Sequence, residues 1–242
     1  MYDKFSTVYD KFIGIDYEAW VEYIEKLWVK FGLKPTLVLD LACGTGNITI
    51  PLARKGYDMI GIDNSTEMLL EARNKSSENI LFISQDMREF ELYGTVDACV
   101  CMVDSINYIL EDKEVSEVFK LVHNYLNPDG LFIFDINSEY KFKYMLGDNS
   151  FCDSDHDCAI IWENYYDEHT MINEYFLNIF IQNESGFYER HEEVHHQRAY
   201  SKELIESLLK NAGFELLACY AALSFNVPHN KSEKIFFIAK AI

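Results

Sequence analysis

The sequence predicts an α/β fold, in which helices cover both faces of a mostly parallel β-sheet and an antiparallel β insertion precedes the last strands. Between residues 36 and 137, short apolar runs alternate with helix-like segments, as they do in a parallel sheet. Between residues 158 and 198, runs of β-branched and aromatic residues follow one another, which favours antiparallel strands. The 242 residues suit one large domain with an insertion, at about 100–200 residues per domain.

Apolar spacing and helix caps define the elements of the main sheet. Large apolar residues recur at helical spacing over 17–31, and Pro35 ends that helix. Asn64 or Ser65 caps a later helix, and Ser201 caps the last one. The predicted helices span 17–31, 47–55, 65–74, 112–126 and 201–211, and the predicted strands span 36–42, 57–63, 80–84, 96–103, 131–137, 214–221 and 234–242.

The insertion and one turn complete the prediction. The tetrapeptide Asn-Pro-Asp-Gly at 127–130 is typical of a turn. The insertion carries three strand-like runs, at 158–166, 171–182 and 187–200. We interpret them as an antiparallel meander.

The charge of the chain limits its partners. Lys and Arg number 21 against 40 Asp and Glu, which gives a net charge of −19. Such a field repels phosphate backbones and anionic lipid, so we expect neither a nucleic-acid nor a membrane partner. The first residues lack the apolar core of a secretory signal, and six scattered cysteines form no CxxC pair, so we expect a cytoplasmic protein with reduced thiols.

Three aspartates fall at the carboxyl ends of the first three predicted strands. Asp40 lies near the end of the first strand, just before a turn that contains Gly44 and Gly46, Asp63 ends the second, and Asp86 follows the third. Ligands of open α/β sheets bind beyond these strand ends, where a carboxylate can accept hydrogen bonds from ribose hydroxyls. The glycines let the backbone approach a ligand closely. The pattern therefore predicts a nucleoside-type ligand.

Two other interpretations of this pattern stay open. A dinucleotide fingerprint needs a third Gly or Ala, where this chain has Thr49, so NAD fits poorly. The three aspartates would also suit ordinary turns or helix caps.

Five segments, in order and at matching spacing, resemble the class I S-adenosylmethionine-dependent methyltransferases: VLDLACGTGNIT, GIDNSTEML, QDMREF, VDACVCMVDSINYI and NPDGLFIFDIN. The resemblance covers about residues 36–137 and is looser elsewhere. Within this family, the sequence is similar to the small-molecule branch, which includes sugar-nucleotide amino N-methyltransferases and uncharacterised bacterial relatives. The resemblance implies a Rossmann-like seven-stranded sheet, S-adenosyl-L-methionine as cofactor, and methyltransferase activity.

Carried over position by position, the resemblance also implies the cofactor contacts. The methionine part is held by Asp40, Ala42, Cys43, Gly44, Gly46, Met102 and Val103, the ribose by Asp63, and the adenine by Asn64, Met68, Asp86 and Met87. The chemistry agrees, because this cofactor carries hydroxyls, an ammonium and a sulfonium but no phosphate, and carboxylates suit such groups.

The N-terminal segment carries aromatic residues that suit two roles: Tyr2, Phe5, Tyr9, Phe12, Tyr17 and Trp20. An aromatic lid over a sulfonium would gain about 0.5–2 kcal/mol of cation–π attraction. Tyr9 is the candidate residue for that lid, as a cofactor contact and on the catalytic side. A stripe that only docks the helix fits equally well.

No catalytic residue is assigned, because methyl transfer needs alignment and needs a base only when the nucleophile arrives protonated. Asn107 and Tyr108, after the fourth strand, are candidates, although a plain loop role also fits. Some DNA and protein N-methyltransferases carry an NPPY-type motif at this place, where this chain has Asp-Ser-Ile-Asn-Tyr. The absence of that motif disfavours adenine, cytosine and glutamine as acceptors.

His191 and His195 are further candidates for the acceptor side. They share one face of a predicted strand with Glu189 and Glu193, and a solvated face is the alternative. Spacing of two on a strand is a known geometry for metal ligands, but an exposed polar face explains this pattern more simply. The segment Cys-Asp-Ser-Asp-His-Asp-Cys at 152–158 lacks the usual zinc spacing and the glycine of a calcium loop, so we expect no metal.

We therefore expect three parts: an N-terminal helical lid at 1–35, a cofactor-binding core at 36–137 and 199–242, and an inserted meander at 138–198 that caps the substrate or forms a homodimer face. The expected reaction is methyl transfer to a small-molecule acceptor by in-line displacement. An RNA or protein acceptor, and a non-catalytic cofactor-binding module, stay as alternatives.

Overall fold

The computed structural model describes residues 10–12 and 14–242. The helices are α1 (Tyr17–Lys30), α2 (Thr49–Arg54), α3 (Thr66–Lys75), α4 (Asp112–Tyr125) and α5 (Lys202–Asn211). The strands are β1 (Leu37–Leu41), β2 (Asp58–Asp63), β3 (Leu81–Ser84), β4 (Val96–Cys101), β5 (Leu126–Asn137), β6 (Ser150–Ser154), β7 (Cys158–Asp167), β8 (Ile172–Gln182), β9 (Tyr188–Arg198), β10 (Phe214–Ala221) and β11 (Lys234–Ala241). A 3₁₀ turn spans Ser105–Tyr108 and a π-helical turn spans Lys141–Leu146.

The main sheet has seven strands in the order β10-β11-β5-β4-β1-β2-β3. Strands β1 to β5 run parallel to one another, whereas β11 pairs antiparallel with both β5 and β10. The carboxyl ends of the five parallel strands therefore meet at one edge of the sheet. This topology confirms the predicted mostly parallel seven-stranded sheet.

Side chains that alternate along the buried strands build a core on each face of the sheet. Leu39 and Leu41 of β1 face the side covered by α4 and α5, and Val38 faces the side covered by α1 and α2. Because both faces are covered, the strands read as continuous apolar runs, which is why the sequence predicts them well.

The insertion forms a separate antiparallel sheet in the order β6-β7-β8-β9. The antiparallel insertion is confirmed, but it has four strands rather than the three predicted. The sequence misses β6 because all five of its side chains are exposed, so it carries no apolar pattern. The aromatics of the insertion divide between a small core, where Phe142 stacks on Tyr166, and exposed positions such as Tyr165.

Two local predictions need correction. Helix α2 is shorter than the predicted 47–55, since it begins only at Thr49. The predicted turn at 127–130 lies within β5 as a bulge, because Leu126 pairs with Val96 and Leu131 with Ala98. None of the helices formed by the described residues has the length and apolar composition of a membrane-spanning helix.

Asn107 fastens the insertion to the main sheet. Its side-chain oxygen accepts from the Asn137 N–H at 2.9 Å, and its Nδ2 donates to the carbonyls of Arg198 at 2.8 Å and Asn137 at 3.3 Å. Asn107 is fully buried, so its side chain gives these backbone groups hydrogen-bond partners away from water. The contacts give Asn107 a structural role, and a role in catalysis stays untested.

We expect Asn107→Asp to destabilise the fold, since a carboxylate would face two carbonyl oxygens and lose the donor. The expected loss is about 2–3 kcal/mol, or roughly 4–12 °C in melting temperature. Asn79→Asp, at an exposed loop position, is the matched control and should change the melting temperature little. Equal melting temperatures for the two variants would contradict this account.

Candidate active site

A cavity of about 720 Å³ lies between the carboxyl ends of the parallel strands and the inner face of the inserted sheet. The main sheet and the loops that follow its strands contribute Asp40, Ala42, Cys43, Gly44, Asp63, Asn64, Asp86, Met87, Arg88, Met102, Val103, Asp104, Tyr108, Asn137 and Lys141. The insertion contributes Phe151, Cys152, Asp153, Ile160, Trp162, Tyr175, Leu177, His195 and Gln197.

The turn after β1 is shaped by left-handed backbone. Ala42 has a φ of +60° and Gly44 a φ of +55°. A Cβ at Gly44 would meet no atom within 4 Å, so glycine is needed there for conformation, and its Cα faces open space. Gly46 has a φ of +78°, and a Cβ there would lie 3.1 Å from Ile50, so Gly46 lets α2 and α3 pack closely.

Asp63 holds this turn in place. Its Oδ2 accepts from the Gly44 N–H at 2.7 Å and its Oδ1 from the Ser65 N–H at 2.8 Å. Burial raises the pKa of Asp63, and these backbone N–H groups oppose the rise. Each carboxylate oxygen keeps acceptor capacity for a ligand hydroxyl.

Asp40 is a buried carboxylate whose Oδ2 accepts a hydrogen bond from Thr49 at 2.5 Å. Burial, together with the charge of Asp63, raises the pKa of Asp40 to about 7. A cationic group bound in the cavity would stabilise the ionised form. Asp40 therefore suits an ammonium or a sulfonium nearby.

Asp86 differs from these two, because Arg88 already engages both of its oxygens. Arg88 donates through Nε to Oδ1 at 2.9 Å and through a terminal nitrogen to Oδ2 at 2.6 Å. These bonds lower the pKa of Asp86. Contact between Asp86 and adenine stays a prediction, and it would have to add to the Arg88 pair.

The turn after β4 places a second carboxylate network at the other end of the cavity. Val103 and Asp104 have φ of +60° and +54°, a conformation that β-branched valine rarely adopts. Asp104 accepts from Lys234 Nζ at 2.5 Å and from Gln197 Nε2 at 2.7 Å. Lys234 also donates to Asp135 at 2.8 Å, and Asp135 accepts from the Asp104 N–H at 3.0 Å.

The two carboxyls of this network differ in their ionisation. Burial tends to raise the pKa of Asp104, but the charges of Lys234 and Lys141 outweigh it, and the pKa is lowered. Burial raises the pKa of Asp135. The ionised form is therefore favoured at Asp104, the carboxyl that lines the cavity, relative to Asp135.

Strand β9 presents alternate side chains to the same region. His195 is buried and its Nε2 lies 3.1 Å from a carboxylate oxygen of Glu193. Gln197 accepts from the Tyr175 hydroxyl at 2.6 Å, which connects β9 to β8. Tyr108 meets His195 edge to face, with ring centroids 6.1 Å apart.

The described part of the N-terminal segment reaches the cavity. Phe12 and Tyr17 line it, and Asp10 accepts hydrogen bonds from Thr45 at 2.8 Å and from Lys75 at 2.6 Å. Trp20 instead packs in the core, 5.2 Å from Phe236. Tyr2, Phe5 and Tyr9 lie outside the described residues, so a lid formed by Tyr9 stays a prediction.

The structure brings most of the predicted site residues to one cavity. Lining it are Asp40, Ala42, Cys43, Gly44, Asp63, Asn64, Met68, Asp86, Met87, Met102, Val103, Tyr108 and His195. Gly46, Asn107 and His191 do not line it. The contacts assigned to these residues with a cofactor or an acceptor stay predictions.

Sequence reasoning missed four residues at the other end of the cavity: Asp104, Asn137, Lys141 and Gln197. Asp104 follows the fourth predicted strand and Asn137 ends the fifth, so the strand-end rule that found Asp86 could have found both. Lys141 and Gln197 give no local signal.

The charge of the cavity fits S-adenosylmethionine. The charged residues that line it, among those the structure describes, are five aspartates against Arg88 and Lys141. A ligand with an ammonium and a sulfonium suits this excess of carboxylate, and a pyrophosphate does not. The described residues contain no cluster of three or more His, Cys, Asp or Glu that could hold a metal.

We expect Asp63→Ala to remove most of the melting shift that S-adenosylhomocysteine causes. At 100 times its dissociation constant the ligand should stabilise the wild type by about 2.7 kcal/mol, and the variant should keep less than about a third of the resulting shift.

The control for this variant is Asp97→Ala. Asp97 also accepts two backbone N–H groups, from Thr36 at 2.8 Å and Leu37 at 3.0 Å, but at the opposite edge of the sheet. Its loss should lower stability and leave the ligand shift intact. If S-adenosylhomocysteine shifts the melting temperature of Asp63→Ala as much as that of Asp97→Ala, Asp63 does not contact the ligand.

We expect Asp40→Asn to stabilise the unliganded protein above pH 7. A folded pKa of about 7 against 3.8 means that the folded state binds more protons between these values, so stability falls as pH rises through this window. The asparagine side chain does not ionise, so the variant avoids that loss. The melting temperature of Asp40→Asn should therefore exceed that of the wild type by several degrees at pH 8 and by less at pH 5. Asp58→Asn, at an exposed site, is the control. A difference in melting temperature between Asp40→Asn and the wild type that does not grow with pH would contradict the account of Asp40 as a buried carboxyl with a raised pKa.

Comparisons with known proteins agree with this geometry. A family model described as "Methyltransferase domain" matches residues 38–130. YqeM, a candidate methyltransferase of Bacillus subtilis (strain 168), is 39% identical over 99% of this chain and 97% of its own. A dTDP-3-amino-3,4,6-trideoxy-alpha-D-glucopyranose N,N-dimethyltransferase of Streptomyces venezuelae is 30% identical, over 53% of this chain and 55% of its own length.

A solved structure extends the match over the whole fold. The crystal structure of an S-adenosylmethionine-dependent methyltransferase from Clostridium acetobutylicum ATCC 824 is 35% identical, with a TM-score of 0.89 over 99% of this chain and 98% of the other. With the strand topology and the acid-lined cavity, these matches show that the chain belongs to the S-adenosylmethionine-dependent methyltransferases.

Proposed function

We propose that the enzyme transfers a methyl group to a small-molecule acceptor held beneath the inserted sheet. The observation that carries the proposal is that the insertion covers the strand ends, so that one cavity has walls from both sheets. Its volume of about 720 Å³ lies within the roughly 300–1,000 Å³ of small-molecule sites. Such a space suits a metabolite better than a folded protein or an RNA duplex.

The cavity has two ends with different chemistry. Asp40 and Asp63, at β1 and β2, would hold the cofactor, which supplies an electrophilic methyl group on a sulfonium. Asp104, Tyr108 and His195 lie at the end formed by β4 and the insertion. In this proposal, that end receives the acceptor.

Asp104 is the residue proposed to orient the acceptor. Lys234 keeps its carboxylate ionised, and Gln197 fixes its position. An ionised carboxylate accepts a hydrogen bond from an N–H or O–H group. Asp104 would thus align the attacking atom through a hydrogen bond. His195, which lies beside Glu193, would accept the proton that the attacking atom loses.

The inserted sheet is proposed to select the acceptor. It presents Trp162, Tyr175 and Leu177 to the cavity, an apolar and aromatic wall of the kind that binds small ligands. The Streptomyces venezuelae relative is named for a dTDP-linked amino sugar, which supports a small-molecule acceptor. The net charge of −19 disfavours RNA. A homodimer through the insertion stays a prediction.

The acceptor class can be tested by mass labelling. The enzyme is incubated with methyl-deuterated cofactor and a cell extract separated into metabolite, RNA and protein fractions. We expect the label in the metabolite fraction, at a molecule identified by its mass. Label confined to RNA or protein would overturn the proposal, and Asp104→Asn should lower the labelling rate at least tenfold.

A further inference from the structure

Lys141 is a cation in the cavity that has no carboxylate partner. Of the two basic residues that line the cavity in the described part of the chain, Arg88 is bonded to Asp86 and Glu114. The Lys141 ammonium donates to the side-chain oxygen of Asn137 at 3.0 Å, and no described carboxylate lies within 4.0 Å of it. In a chain with a net charge of −19, a half-buried lysine without a counter-ion is unusual.

The local backbone is built to hold this side chain at the cavity. Lys141 begins the π-helical turn. Such turns are rare in proteins as a whole, but many of those that occur lie at functional sites. Its own N–H donates to the Ser138 hydroxyl at 3.2 Å, and Phe142 and Leu146 of the same turn are buried. The turn is therefore anchored by packing, and Lys141 is its charged residue that lines the cavity.

The electrostatic surroundings leave the ammonium short of stabilisation. Burial and the charge of Lys234 lower the pKa of Lys141, and the more distant Asp104, Asp135 and Glu233 only partly oppose this. A bound anion would restore the missing counter-charge.

The place of Lys141 in the sheet separates it from the carboxylates of β1 to β3. Lys141 follows β5, whereas Asp40 and Asp63 lie at the carboxyl ends of β1 and β2, and Asp86 follows β3. In the sheet order, β4 separates β5 from those three strands. Lys141 thus stands on the same side of the cavity as Asp104 and Gln197.

We propose that Lys141 binds a carboxylate or phosphate group of the acceptor, so that the substrate is an anionic small molecule, an inference that rests on the function proposed above. The anion takes the two ammonium N–H groups that Asn137 does not use. The nucleophilic atom then lies toward Asp104, and the two opposite charges orient the acceptor at both ends.

Acetate and inorganic phosphate test the anion site without knowledge of the acceptor. Each is added at millimolar concentration to the complex with S-adenosylhomocysteine, at an ionic strength matched with chloride. We expect at least one of them to raise the melting temperature of the wild type but not of Lys141→Met. A rise that Lys141→Met retains, or no rise in the wild type, would overturn the proposal.

Lys143→Met is the matched control, because Lys143 lies on the same π-helical turn and pairs with Glu168 at 2.5 Å, away from the cavity. It should respond to the anions as the wild type does. Lys141→Met breaks no ion pair, but it removes one of the charges that lower the pKa of Asp104, so the melting temperature of the unliganded variant is measured first, and Lys141→Gln serves as a second variant.

Calorimetry separates the acceptor site from the cofactor site. Lys141→Met should bind S-adenosylhomocysteine within about twofold of the wild type. A tenfold loss would mean that Lys141 holds the cofactor's own carboxylate, and the proposal would fail.

Fractionation of the metabolite extract on an anion-exchange column then distinguishes this proposal from the function it rests on. We expect the methyl label in the retained molecules, with a rate at least tenfold lower for Lys141→Met and unchanged for Lys143→Met. Label only in unretained metabolites would overturn the anionic acceptor and leave the small-molecule function standing, whereas label only in RNA or protein would overturn that function. Phosphatase treatment of the labelled product tells a phosphate from a carboxylate.

Discussion

The Asp104 carboxylate connects the two sheets of the protein where the cavity forms. It accepts from Lys234 at the start of β11 and from Gln197 on β9, so one side chain joins the main sheet to the insertion. A buried carboxylate is costly unless it is paired and hydrogen-bonded, and both conditions are met here. The turn that carries Asp104 has left-handed backbone at Val103 and Asp104. Together with Asn107, which also joins β5 to β9, this network connects the insertion to the strand ends where the cavity forms.

Charge divides the cavity along the strand order. Asp40 and Asp63 give the β1 and β2 end an excess of negative charge that suits a cationic cofactor. At the β5 end, Lys141 adds a positive charge to the same cavity as Asp104, so a ligand there meets both signs within one site. The fold thus offers two different binding environments in one continuous space, which is the arrangement that a two-substrate transfer requires.

The sequence predicts the part of the site that depends on local pattern. Asp40, Asp63 and Asp86 could be found because each lies at or just after the carboxyl end of an apolar strand, and parallel strands bring their carboxyl ends together. Lys234 could not be found, because it lies 130 residues from Asp104 and 99 from Asp135, and only the antiparallel pairing of β11 with β5 brings it to them. Strand β6 has no apolar pattern, because all of its side chains are exposed, so the sequence predicts too few strands in the insertion. His195 was found by strand alternation, although the same pattern pointed equally to His191, which lies away from the cavity.

The central claim is that one cavity holds the cofactor at the β1–β3 edge and directs its reactive centre toward the acceptor end beneath the insertion. A crystal structure of the complex with S-adenosylhomocysteine tests this most directly. The account predicts the adenine near Asp86, the ribose hydroxyls on Asp63, and the thioether sulfur facing the space between Asp104, Tyr108 and His195. A sulfur that points to solvent outside the inserted sheet, or an adenine at the β5 end, would contradict it.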